Sequence, residues 1–218
     1  MVTSSTEVGY FAGACEMSTQ PQRHFTLEEY FALEHASEVK YEYWQGDVLA
    51  MSGASPTHVQ IQVNLITLLR SQLRGRSCRV FSSDMRLKVP SLPPYRYPDL
   101  PALCGEPVFE VIGGLEVLTN PTCIAEILSP KTEAFDRGDK FTHYKSIPSF
   151  VEYLLIAQHR PHVGHYVKQS DDVWSYREFN DLSASLGIPS LACQLLLEDL
   201  YQDVAFESPI VPEYPSHQ

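Results

Sequence analysis

The chain has 218 residues, enough to bury a full hydrophobic core without staples and too few for two comfortable independent domains. A hydrophobic share of 44%, a charged share of 20% and a mean hydropathy of -0.17 exclude a disordered or collagen-like polymer, and no apolar run nears the roughly 18 residues of a bilayer crossing. Sixteen basic against 27 acidic residues give a net charge of -11, which on average disfavours a nucleic-acid partner, yet Arg70, Arg74, Arg76, Arg79, Arg86 and Lys88 form a strip interrupted by one acid, Asp84.

Residues 1–24 hold one Arg and no apolar block of signal-peptide length, so they read as a loose leader and the protein as cytoplasmic. The five cysteines (Cys15, Cys78, Cys104, Cys123, Cys193) are odd in number and lack a Cys-x-x-Cys pair, which points to thiols in a reducing compartment and to no zinc ribbon. An ordered domain is expected over 25–204. Thr26 and Glu29 form a capping box that opens a helix, with Phe25 as a staple against Tyr30. Tyr41 to Met51 reads as a hairpin around Gln45-Gly46-Asp47. Ser55-Pro56 is a helix start, and Ile61, Leu65, Leu68, Leu69 and Leu73 carry that helix to about Leu73.

Met85, Leu87 and Val89 alternate with Arg86 and Lys88, predicting a strand with one buried and one basic face. After the proline-rich turn Pro90 to Pro94, the stretch Tyr95 to Leu103 is extended, and Pro101 should demote it to an edge or a bulge. Thr122 to Leu128 and Phe150 to Ile156 are apolar enough for strands covered on both faces. Asp136 to Tyr144 reads as a short helix, 162–168 and 173–179 as an antiparallel hairpin, Leu195 to Tyr201 as a helix, and 205–218 as an acidic tail. The order predicts a mixed α/β domain with one central sheet.

Two carboxylates stand out. Glu126 interrupts an otherwise apolar strand, and Asp99 lies in a stretch rich in Tyr and Pro. A carboxylate in such a setting needs a hydrogen-bond network, a basic partner or a cation. If the two strands are neighbours, the pair converges on one divalent ion, and hard oxygen donors suit Mg2+ or Mn2+.

Tyr97-Pro98-Asp99, Glu126-Ile127-Leu128-Ser129-Pro130-Lys131-Thr132, Asp136-Arg137-Gly138-Asp139-Lys140, Tyr144 and Ile147-Pro148-Ser149, together with Gly53-Ala54-Ser55-Pro56-x-His58, resemble the Uma family of restriction-endonuclease-like proteins within the PD-(D/E)xK nuclease superfamily. The likeness runs from about Phe25 to Tyr201. It implies a restriction-endonuclease-like fold, a central mixed sheet flanked by helices with an added N-terminal helix and hairpin. It also implies Asp99 and Glu126 as metal ligands, with the Ile127 carbonyl as a third. The lysine of the superfamily pattern, two residues after the glutamate, is here Leu128; in the resemblance Lys140 takes its place, with Lys131 as the nearer alternative.

The activity so implied is metal-assisted hydrolysis of DNA, with Lys140 stabilising the nucleophile or the transition state and His58 as a third ligand or proton acceptor. Glu42 matches the family pattern as well, beside its plain reading as an exposed hairpin charge. Cleaving both strands is simplest for a homodimer. The alternative from a different class is an inactive module of the same fold that binds nucleic acid or protein, with Leu128 as the mark of lost catalysis. His159, His162 and His165 do not suit a zinc site, since the last two point to opposite faces of a strand, and Gly113-Gly114 lacks the Lys-Ser of a phosphate-binding loop.

Overall fold

A computed structural model describes residues 24–51 and 53–206. The expected leader and acidic tail therefore lie outside the described residues, apart from His24, Ala205 and Phe206; the Phe206 ring packs edge-on against Tyr201.

Helix α1 (Leu27–Ala36) starts at the capping box, with the Thr26 hydroxyl accepting from the Glu29 N–H (3.2 Å) and the Glu29 carboxylate accepting from the Thr26 N–H (2.9 Å). Strands β1 (Tyr41–Trp44) and β2 (Asp47–Ala50) form the expected hairpin. Helix α2 (Pro56–Gln72) begins at Ser55, whose hydroxyl accepts from the His58 N–H, and buries Ile61, Leu65 and Leu69. The chain then makes β3 (Cys78–Val80), β4 (Leu100–Cys104), a second hairpin of β5 (Phe109–Ile112) and β6 (Leu115–Leu118), and β7 (Cys123–Leu128). A helical segment follows: α3 (Glu133–Phe135), a π-helical turn over Asp136–Lys140 and α4 (Phe141–Tyr144). The remainder is β8 (Glu152–Ala157), the hairpin of β9 (Val163–Ser170) and β10 (Val173–Phe179), the short pair β11 (Ser185–Ile188) and β12 (Cys193–Leu196), and α5 (Leu197–Leu200).

The central sheet has six strands in the order β10-β9-β8-β7-β4-β3. Only β7 and β8 pair in parallel; the other neighbours are antiparallel. Alternation along β7 splits the core. Cys123, Ala125 and Ile127 pack with α2, β11, β12 and α5 on one face, while Ile124 and Leu128 pack with Phe141, Tyr144, Tyr153 and Leu155 on the other. β7 and β8 are buried throughout, as their apolar composition requires.

The structure corrects several expectations. β4 is an interior strand between β3 and β7 despite Pro101. The Pro101 carbonyl accepts from Phe81 just beyond β3 (3.0 Å), so the missing N–H also faces that side, past the end of β3, and the ladder to β7 loses no donor. Met85 to Val89 is not a strand, because Leu87 alone bridges to Arg96 and Leu118. Its basic face is not free either: Arg86 lies over the Tyr95 and Tyr97 rings with Glu34 at 3.5 Å, and Lys88 pairs with Glu110 at 2.6 Å. Helix at Leu195 to Tyr201 shrinks to α5, since buried Cys193 and Leu195 flank exposed Gln194 with strand period. Cys78 and Cys104 are directly opposed in the β3–β4 register and are joined by a disulfide, overturning the expectation of thiols for that pair; Cys123 and Cys193 are buried and free.

Among the described residues no helix is long and apolar enough to cross a membrane.

Candidate active site

β4 and β7 are antiparallel neighbours, so the start of one and the end of the other meet at the same edge of the sheet. Asp99 stands immediately before β4, and Glu126 lies near the end of β7, on the face covered by the helical segment. The Asp99 N–H donates to Glu126 Oε2 (3.3 Å), and the Ile127 N–H donates to Asp99 Oδ2 (2.7 Å). In extended backbone the C=O of a residue faces the same side as its N–H, so the Ile127 carbonyl shares this edge with the Asp99 carboxylate. The Asp99 carbonyl accepts from Gln62 Nε2 (2.8 Å), one turn of α2 beyond His58, and His58 Nε2 lies 3.2 Å from Asp99 Oδ1.

Lys140 enters from the other layer. Its Nζ lies 2.9 Å from Glu126 Oε1 and 3.2 Å from Asp136 Oδ1, and the Tyr144 hydroxyl donates to Glu126 Oε1 (2.7 Å). The π-helical turn carries Asp136 and Lys140 four residues apart, so both side chains aim at β7. Lys131, the alternative lysine, is exposed and pairs with neither carboxylate. Glu42 is half-buried instead of projecting into solvent; its Oε1 lies 3.5 Å from the Tyr97 N–H, and its charge helps raise the Lys140 pKa.

Acid outnumbers base in this cluster. Burial, with the charges of Asp99 and Asp136 adding to it and Lys140 opposing, pushes the Glu126 carboxyl up to about 8. Lys140 is also held well above the usual ammonium range: burial acts against its charge, but Glu126, Asp136 and Glu42 outweigh it. Asp99 goes the other way, because hydrogen bonds from His58 and Ile127 and the charge of Lys140 overcome its burial. The shifts on Glu126 and Lys140 share one sense: the cluster retains protons because it has room for more positive charge.

His58 is a hydrogen-bond partner of Asp99, and among the described residues no group of three or more His, Cys, Asp and Glu side chains is arranged as for a metal ion. The available donor set is two carboxylates and one backbone carbonyl, all hard oxygens. That set fits Mg2+ or Mn2+, which bind through one or two carboxylates and keep water or phosphate oxygens in the remaining positions. The three histidines set aside above are elsewhere: His162 bonds Asn180 and Arg137, His165 bonds Glu152 at 2.6 Å, and His159 is exposed.

A family model, Uma2, described as "Putative restriction endonuclease", matches residues 27–198. The chain belongs to the Uma2 family. Two proteins of Synechocystis sp. (strain ATCC 27184 / PCC 6803 / Kazusa) are similar to this Uma2 chain: uncharacterized protein sll1609, 37% identical over 74% of this chain and 90% of its own length, and uncharacterized protein slr1290, 31% identical over 82% and 92%. The crystal structure of "a putative nuclease belonging to DUF820" from Anabaena variabilis ATCC 29413 matches with a TM-score of 0.65 and 22% identity, covering 81% of this chain and 97% of that one. That match shows that the Uma2 chain shares its mixed α/β fold, as the resemblance implied.

Asp136, Tyr144 and Gln62 join this cluster as well; the sequence shows the first two only as part of the motifs that carry the resemblance, without a role in the site, and does not point to Gln62. Each has a helical signal: Asp136 and Tyr144 stand four residues either side of Lys140, and Gln62 four after His58.

Proposed function

We propose that this Uma2 protein is a divalent-metal-dependent endonuclease that hydrolyses phosphodiester bonds of DNA. The observation that carries the reading is the meeting of Asp99, Glu126 and Lys140: two carboxylates from the ends of adjacent strands share an edge, and an ammonium from the covering helical segment lies 2.9 Å from one of them. A lysine delivered from a helix makes Leu128 compatible with catalysis, because its role depends on where the ammonium lies and not on which element supplies it.

Asp99, Glu126 and the Ile127 carbonyl would hold Mg2+ or Mn2+. When bound, such an ion polarises the scissile phosphate and lowers the pKa of water beside it. Lys140 donates hydrogen bonds where negative charge builds on phosphorus, and its two carboxylate partners keep it from swinging away. Tyr144 fixes the rotamer of Glu126. His58, held against Asp99, accepts the proton released by the attacking water. Cutting both strands takes two such sites, which a twofold homodimer supplies.

The test is conversion of supercoiled plasmid to nicked and linear forms in Mg2+ or Mn2+. The parent cuts; Asp99→Asn and Glu126→Gln do not, while their thermal unfolding remains cooperative. Equal cutting by parent and variants would refute the site.

A further inference from the structure

A second feature lies at the far end of α2. A surface cavity of about 510 Å³ is lined by Arg70, Arg74, Arg76 and Arg79, with Ile66 and Leu73 among its apolar walls. All four arginines are exposed. Arg76 is partly committed, donating to the Leu191 and Ala192 carbonyls, and among the described residues Arg79 donates to the carbonyl of Cys78 alone. Arg70 and Arg74 form no ion pair or side-chain hydrogen bond among the described residues. Of the six basic residues in the strip, Arg86 and Lys88 are spent on acids elsewhere, so its free charge is concentrated in this cavity.

The charge along this stretch of chain favours an anion. No Asp or Glu stands between Asp47 and Asp84, although the chain carries 27 acids, so α2 and β3 are free of acid from end to end. α2 joins the cavity to the candidate active site, with His58 in its first turn and Arg70 in its last. Twelve residues of helix place those two about 18 Å apart along its axis. The sheet gives an independent ruler: Cys104 pairs with Cys78 in the cavity wall, and five extended residues back to Asp99 span about 17 Å. At 3.4 Å per base pair either distance corresponds to about five base pairs of duplex.

We infer that this cavity and the acid-free side of α2 bind the sugar-phosphate backbone of duplex DNA, with Arg70, Arg74 and Arg79 clamping phosphates about five base pairs from the scissile bond. The inference rests on the endonuclease reading. It explains how a chain with a net charge of -11 engages a polyanion: repulsion from the whole molecule is overcome on one local track.

The test is fluorescence anisotropy of a labelled 24-base-pair duplex, without divalent metal, across a salt series. Arg70→Ala/Arg74→Ala should weaken binding about tenfold or more at low salt and flatten the plot of log K against log salt by about two contacts' worth, roughly 0.9 per phosphate. Lys168→Ala/Arg177→Ala, at the opposite edge of the sheet, removes the same net charge and should leave the slope intact. Unchanged binding by the first variant, or equal losses in both, overturns the inference. Plasmid cutting separates it from the reading beneath it. A parent that cuts while the Arg70/Arg74 variant binds normally sinks only the track; a parent that binds through these arginines but never cuts sinks only the nuclease.

Discussion

Glu126 offers a prediction that needs no substrate. Its carboxyl titrates near 8 in the folded protein because burial disfavours the charge, whereas in the unfolded chain it titrates near 4.5. Below the lower value both states hold the proton, and the residue costs nothing. As pH rises through 4.5 the unfolded chain releases its proton while the native state keeps it, so stability falls until about pH 8 and then levels off. The span from 4.5 to about 8, at about 1.4 kcal/mol per pH unit, amounts to about 5 kcal/mol. Glu126→Gln mimics the protonated acid and removes this term. Urea unfolding of parent and variant should therefore agree near pH 4.5 and diverge by up to about 5 kcal/mol by pH 8, with the variant more stable. At pH 8, Mg2+ at a hundred times its dissociation constant should restore about 2.7 kcal/mol to the parent and little to the variant. Stability profiles that run parallel across the whole range would refute the description of Glu126 as a buried, proton-retaining carboxyl.

Lys140→Met should lower the plasmid-cutting rate by about 10²–10³-fold at saturating metal, the usual loss when one donor to a developing oxyanion is removed; a rate within threefold of the parent would assign the lysine a structural role. His58→Ala removes the hydrogen bond that keeps Asp99 acidic against its burial, so the acid limb of the pH–rate profile should move to higher pH. An unmoved limb would separate Asp99 titration from catalysis. Thiol titration in denaturant should count two fewer groups before reduction than after, reporting Cys78–Cys104; equal counts would refute that bridge.

The chain declares much of this architecture through local chemistry. Thr26 with Glu29, and Ser55 with Pro56, mark two helix starts that the structure reproduces, and a lone acid inside Cys123–Leu128 is visible as soon as the strand is recognised. What escaped depends on long-range pairing. Gly113 and Gly114 are a hairpin turn with φ of 56° and 80° between Phe109–Ile112 and Leu115–Leu118, whereas the sequence offers the pair only as a phosphate loop lacking its Lys-Ser. At Gly113 any side chain would also collide with the Phe31 ring. Pro101 looked incompatible with an interior strand because the local rule cannot know where β3 stops. The fate of the basic strip was equally hidden: nothing near Arg86 in sequence announces that Glu34 and two tyrosine rings will claim it, leaving Arg70 and Arg74 exposed.

The widened turn over Asp136–Lys140 has a consequence for how such proteins tolerate change. Each residue added to or removed from a helix swings everything after it by about 100° around the axis. A one-residue indel within this turn would swivel the Lys140 ammonium out of reach of β7 and, in the same movement, turn Phe141 and Tyr144 off the core face they share with Ile124 and Leu128, so that site and packing are set by one helical register. Length, as much as residue identity, is therefore what this stretch of chain has to keep.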